Sequence, residues 1–297
     1  MGSGPVLAAA AGLGFGAFQT LNRKAVAGMS DAYLATFLQL FVALIVLCAL
    51  SGATDGFDPL ADATGAALVW FAAAGLVHFF VGWTLLNMSQ MRIGAARTSP
   101  LLSTNPVWGA ALAAAWLGEF PRAVAWVGIA LVVAGALVVS LDRAEEAGGL
   151  GLGWRDAAPG LLTALAWSVS PIFIKQGLDG LGSPLLGLTL GMAVAVVAYA
   201  AALPFRPRAE GAALGSRLSV AFKLLAGVMV GLSVWARWES LDSASIAVVL
   251  ALGLLSVPVV LVFSPMLMGR HVERVNAQVW TGALLVVGGG VLLILEA

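Results

Sequence analysis

Ten apolar stretches, each long enough to cross a bilayer, fill most of this chain, and the last five echo the first five. A bilayer core asks for about 20 apolar residues per helix. Stretches that meet this run over roughly 4–22, 32–51, 64–88, 95–117, 122–141, 156–174, 184–204, 218–238, 244–268 and 276–295. The echo is read directly. At an offset of 152, Trp83 to Pro106 lies over Trp235 to Pro258, Trp on Trp and Pro on Pro. At an offset of 154, Trp126, Gly128, Leu131, Val132, Val133 and Gly135 meet Trp280, Gly282, Leu285, Val286, Val287 and Gly289. Lys24 meets Lys175 near the first span of each half. An odd number of spans per half makes the two copies enter the membrane in opposite senses. The expectation is an all-α integral membrane protein with ten transmembrane helices, built as two inverted five-helix repeats. They cover 1–141 and 156–297, with a linker at 142–155. Such repeats recur in secondary transporters, which rock around a site at the midplane.

Composition agrees. Soluble domains carry about a quarter charged residues, whereas this chain carries 10%, against 61% hydrophobic residues and 36 glycines. Small residues let helices approach closely where lipid gives no hydrophobic drive for association. Net charge is zero, from 15 basic and 15 acidic residues, and no basic arm points to a nucleic acid partner. Cys48, the single cysteine, sits in an apolar run and reads as a small buried hydrophobe. The first apolar stretch follows Met-Gly-Ser-Gly with no basic n-region, so it reads as a first helix rather than a signal peptide.

Basic residues set orientation. Loops after odd-numbered spans hold Arg23, Lys24, Arg92, Arg97, Arg143, Arg155, Arg206, Arg208, Arg217, Lys223, Arg270 and Arg274; the other face holds Arg122, Lys175 and Arg237. That bias places both termini outside the cytoplasm of a plasma (inner) membrane. The glycines of 148–154 lack the preceding strand and following Lys-Ser/Thr of a phosphate loop, and read as a flexible linker. No Gly-x-Ser-x-Gly, His-Glu-x-x-His or pair of mid-membrane aspartates appears, so hydrolytic catalysis lacks its constellation. Two histidines, His78 and His271, do not make a His-rich metal site. No cofactor or metal is expected.

Four local patterns recur in order. They are Gln19-Thr-Leu-Asn-Arg-Lys24, Gly94-Ala-Ala-Arg97-Thr-Ser-Pro-Leu-Leu-Ser-Thr-Asn-Pro106, Leu117-Gly-Glu119, and a Gly-rich fifth span in each half. With them the whole chain resembles the drug/metabolite transporter superfamily in its ten-helix form with two EamA repeats. The resemblance implies export and both termini in the cytoplasm, the reverse of the charge count. The chain departs from the family at Gln39, where arginine is common, and at Gly269-Arg270, where Gly-Glu is usual.

Ionisable groups within a bilayer are costly and mark candidate sites. His78 lies mid-span between Gly75 and Gly82, as a proton carrier or as a neutral histidine bonded within the bundle. Arg97, one turn into the fourth span, is a bidentate donor for a substrate anion or a snorkelling surface cation. Thr104 shares its face, Asn105 adjoins it, and Pro106 frees a carbonyl near Leu102. Trp235-Ala-Arg237-Trp238-Glu239 reads as an interfacial belt with a local ion pair, or as a gate. Gln19, Asn22 and Gln39, with Trp167 and Ser170, line a central path or bridge helices. Glu119 is expected to cap or anchor a helix end, and Glu239 joins His78 as a candidate coupling group.

The function expected is a secondary transporter of a small metabolite, such as an amino acid, working by alternating access. A flippase for a lipid-linked substrate and an intramembrane enzyme are the alternatives. The partners implied are a small-molecule substrate, the lipid bilayer and, where a proton gradient drives transport, protons. Ten helices provide a complete path in a monomer, and a homodimer is equally compatible.

Overall fold

A computed structural model describes residues 3–29, 31–93, 95–146, 148, 153–205, 215–268 and 276–295. The expected residues Arg206, Arg208, Arg270, His271 and Arg274, and the linker glycines Gly149 and Gly151, lie outside this set. Twelve helices account for nearly all of it. They are α1 Ser3–Val26, α2 Ala32–Thr54, α3 Gly65–Ile93, α4 Ala95–Leu102, α5 Asn105–Leu117 and α6 Ala123–Glu146. Then follow α7 Trp154–Leu178, α8 Pro184–Ala202, α9 Arg217–Ser243, α10 Ile246–Gly253, α11 Ser256–Met268 and α12 Ala277–Leu295. A short turn at Pro59–Asp62 sits between α2 and α3.

Among the described residues nine helical segments are long and apolar enough to cross a membrane. Residues 95–117 are not among them, because they form two helices that part at Ser103 and Thr104. Pro106 supplies no N–H, and its ring presses on the carbonyl four residues back. Thr104 Oγ1 donates to Leu101 O at 2.6 Å, the carbonyl that the Asn105 N–H would take in a continuous helix, while Ser103 Oγ adds a bond at 3.1 Å to Ser99 O beside the regular one from its own N–H. Pro258 breaks the ninth apolar stretch in the same way, with a turn at Leu254 and Leu255 between α10 and α11.

The outer face is what lipid requires. Val69 and Val197 are 66% exposed and Leu284 68%, positions that water would not tolerate in such number. Inside, α1 packs along α9, and α7 along α3. α2 meets α8 and α9, α6 meets α12, α5 meets α10, and the two broken stretches, α4–α5 and α10–α11, lean on α7 and α1 respectively. Small residues set these distances. A Cβ on Gly75 of α3 would lie 2.1 Å from the Gly191 carbonyl oxygen of α8, so that crossing admits only glycine. Fully buried Trp238, Tyr199, Phe71 and Phe79 fill the centre.

Candidate functional site

The centre is built around a wide turn. Between Gly75 and Trp83, α3 loosens into a π-helical segment, Leu76–Gly82, of the kind that often marks functional positions. Its carbonyls are collected by side chains. Trp167 Nε1 donates to His78 O at 3.1 Å, Tyr199 OH to Phe79 O at 3.5 Å, and Thr84 Oγ1 to Phe80 O at 2.5 Å. Gly82 is required beneath the indole, since a Cβ there would lie 2.5 Å from Trp167 Nε1.

This turn aims His78 at α7. Its Nδ1 lies 2.8 Å from Ser170 Oγ, and its ring stacks on Trp167 at 5.7 Å between centroids and 21° between planes. Three of the expected residues, His78, Trp167 and Ser170, therefore meet across the two halves of the chain. From α9, the Arg237 guanidinium lies within electrostatic reach of His78, and its Nη2 is buried with no hydrogen-bond partner among the described residues. Trp238 stacks on Phe71 at 6.0 Å and on Phe79 at 6.4 Å. Among the described residues Arg237 makes no ion pair with Glu239; residues two apart on a helix point to different sides. Glu239 instead bonds Trp235, four residues back and on its own face.

A second polar cluster joins α1, α2 and α9. Lys223 is 2% exposed, and its Nζ donates to Gln39 Oε1 at 2.7 Å and to Asn22 Oδ1. Gln19, half-buried, lies one turn before Asn22. Lys223 is absent from the residues singled out in sequence, because it reads there as one of the basic residues at a span end. A signal was present: Ser219, Lys223, Ala226, Gly227, Val230 and Gly231 form a buried stripe at helical spacing. Gln39 stands where the resemblance leads one to expect arginine, and the cation beside it comes from α9.

The remaining residues lie elsewhere. The Arg97 guanidinium rests against Gly148, the one described residue of the glycine-rich linker between Ala147 and Gly153, since a Cβ there would be 2.6 Å from Nη2. Thr104 folds back onto Leu101 O, and Asn105 bridges to α7 through Nδ2 to Ala164 O at 3.4 Å. Glu119 anchors helix ends, as expected. Its Oε1 pairs with Lys175 Nζ at 2.6 Å, and its Oε2 accepts the Ile246 N–H at 3.0 Å.

Comparison with known proteins places this architecture. The multiple apolar helices make this a multi-pass membrane protein. Residues 2–141 match the EamA-like transporter family. A Sinorhizobium sp protein named as an uncharacterized transporter in the cobO 3' region is 27% identical over 128 residues, 43% of this chain and 89% of that protein. A crystal structure of another protein aligns with 100% of this chain and 99% of its own, at a TM-score of 0.74 and 18% identity, which shows a shared fold.

Proposed function

We propose that this transporter moves a small metabolite, of which amino acids and related carboxylates are the preferred class, by alternating access between two inverted halves, 1–141 and 156–297. The observation that carries the reading is the contact between halves at His78, which binds Ser170 and stacks on Trp167 beside a half-buried, incompletely partnered Arg237. A guanidinium with an unused donor in a low-dielectric setting suits a carboxylate. Two further facts support inverted halves. The family match ends at residue 141. Several main helix contacts answer one another when the halves are exchanged: α1 on α9 answers α7 on α3, and α1 on α10 and α11 answers α7 on α4 and α5.

The lipid-linked alternative is weaker. A lateral groove of about 380 Å³ lies between α1, α11 and α12, but Leu13, Val259, Phe263 and Val291 and the rest of its lining are apolar. A lipid headgroup finds no partner there.

The experiment is transport in proteoliposomes. A panel of amino acids, organic acids, nucleosides and cationic drugs is first screened by melting temperature, where a ligand at 100 times its dissociation constant adds about 2.7 kcal/mol. Arg237→Met and Trp167→Ala are expected to abolish uptake of the stabilising compound while the protein still folds. Arg97→Ala is expected to retain uptake, since its guanidinium lies at the linker. Full activity in Arg237→Met, or loss confined to Arg97→Ala, rejects this placement.

A further inference from the structure

We propose that Lys223, Gln39 and Asn22 form a second station for a small anion, distinct from the His78 cluster and lying toward the Arg217 end of α9. The donor inventory leads there. A lysine ammonium offers three protons, and here Gln39 Oε1 and Asn22 Oδ1 take two. The Gln39 Nε2 amide, on a side chain with no exposed surface, has no hydrogen-bond partner among the described residues. The unused groups, one ammonium proton and an amide NH2, are all donors and adjoin one another.

Among the described residues no carboxylate pairs with Lys223. A buried cation without a counter-charge is costly, and costlier still within a membrane. A neutral acceptor satisfies the amide but leaves the charge uncompensated, and a cation adds to it. An anion with at least two acceptor oxygens, a carboxylate or a phosphate, meets both needs.

Position supports the assignment. Lys223 lies about 9 Å along α9 from Arg217, at 1.5 Å per residue. Arg237 follows about 21 Å further on, within about 40° of the same helix face. One face of α9 thus carries a buried lysine and a half-buried arginine at opposite ends, each with an unsatisfied donor beside it among the described residues. Gly227 brings α2 close, since its Cβ would lie 3.0 Å from the Gln39 carbonyl oxygen, so the station is closed in this conformation. An anion reaches it when α1 and α2 part from α9, a motion of the kind that alternating access requires. That the anion is the cargo rests on the transport reading above; the binding itself does not.

The test uses the purified full chain in detergent at constant ionic strength, with sodium chloride as baseline. Melting temperature is followed against acetate and inorganic phosphate, with acetamide as the uncharged control. Acetate or phosphate is expected to stabilise the wild type and Lys223→Arg, and acetamide is not. In Lys223→Met the apparent affinity is expected to fall about tenfold or more, the usual consequence of losing a charged hydrogen-bond partner. Gln39→Leu, which leaves the lysine in place, weakens binding by a smaller factor and serves if Lys223→Met does not fold. Equal shifts with acetamide, unchanged binding in Gln39→Leu or Lys223→Met, or loss in Arg237→Met alone overturns the station. Which anion stabilises more separates carboxylate from phosphate. Transport of neutral solutes without anion binding rejects the station and leaves the transporter; anion binding without transport of any solute does the reverse.

Discussion

The two helix breaks both precede a proline, and their surroundings are opposite. Between α4 and α5 the chain turns at Ser103 and Thr104, before Pro106, in a polar setting. Ser99 bonds Ser140 at 2.9 Å, and Ser168 of α7 donates to the Asn105 carbonyl at 2.9 Å. Between α10 and α11 the turn falls at Leu254 and Leu255, before Pro258. There the backbone tightens on itself, with Leu254 N–H donating to Ala251 O at 2.9 Å and Leu255 N–H to Leu252 O at 3.0 Å. Among the described residues no side-chain hydrogen bond joins that turn to α1; glycines do the holding. A Cβ on Gly12 would lie 2.3 Å from Leu252 O, and one on Gly16 2.6 Å from Val259 Cβ. Proline thus dictates where a membrane helix stops, while the facing helix decides whether hydrogen bonds or close contact secure the stop.

The largest effect is expected at the glycine-held break. Gly12→Leu places a branched side chain against the Leu252 backbone, which no rotamer change relieves, and α1 must move away from α10. Overpacking of this kind costs about 1–3 kcal/mol or more, and folded yield and melting temperature in detergent should both fall sharply. Gly14 is the control on the same helix, because its added Cβ meets the Ser233 hydroxyl at 2.5 Å, a group that can rotate away. If Gly14→Ala destabilises as much as Gly12→Ala, close backbone contact is not what secures this break.

Much of the fold was legible before any coordinates. The apolar stretches locate the helices to within a few residues, because hydropathy reports lipid contact directly. Helix ends were less visible: α3 continues through the polar Asn87 to Arg92, and α6 through Asp142 to Glu146, since backbone hydrogen bonds persist after the apolar run ends. Pro106 indicated a freed carbonyl near Leu102, but not a full interruption, which depends on Ser103 and Thr104 turning back on their own helix. At the site, His78, Trp167 and Ser170 were each identifiable as polar or aromatic groups within apolar spans. Their meeting was not, because it depends on a π-turn and on pairing between α3 and α7. Lys223 was hidden for a different reason. Proximity to a span end makes a lysine look interfacial, and only its phase on the buried stripe of α9 says otherwise.

The polar break should respond more mildly to loss of a single contact. Ser168→Ala removes the donor to the Asn105 carbonyl, and a hydrogen bond between membrane helices averages about 0.6 kcal/mol, with a maximum near 1.7. A small drop in melting temperature is expected, and uptake in proteoliposomes should be retained. A loss as large as that of Gly12→Leu means that this hydrogen bond, rather than the wider polar setting, holds α5 against α7.

The smallest effect in stability is the most diagnostic in structure, and it comes from removing the prolines. Alanine restores an N–H and removes the ring that presses on the carbonyl four residues back. In Pro258→Ala nothing else near Leu254 opposes a continuous helix, so α10 and α11 are expected to join. Amide exchange over 255–260 should slow. In Pro106→Ala the hydroxyls of Ser103 and Thr104 still take the carbonyls of Ser99 and Leu101, and Ser168 still holds Asn105. That turn is expected to survive, with exchange over 103–108 unchanged. Equal protection gained at both sites makes proline the whole cause of both breaks; protection gained at neither leaves the interruptions to the packing of α1 and α7.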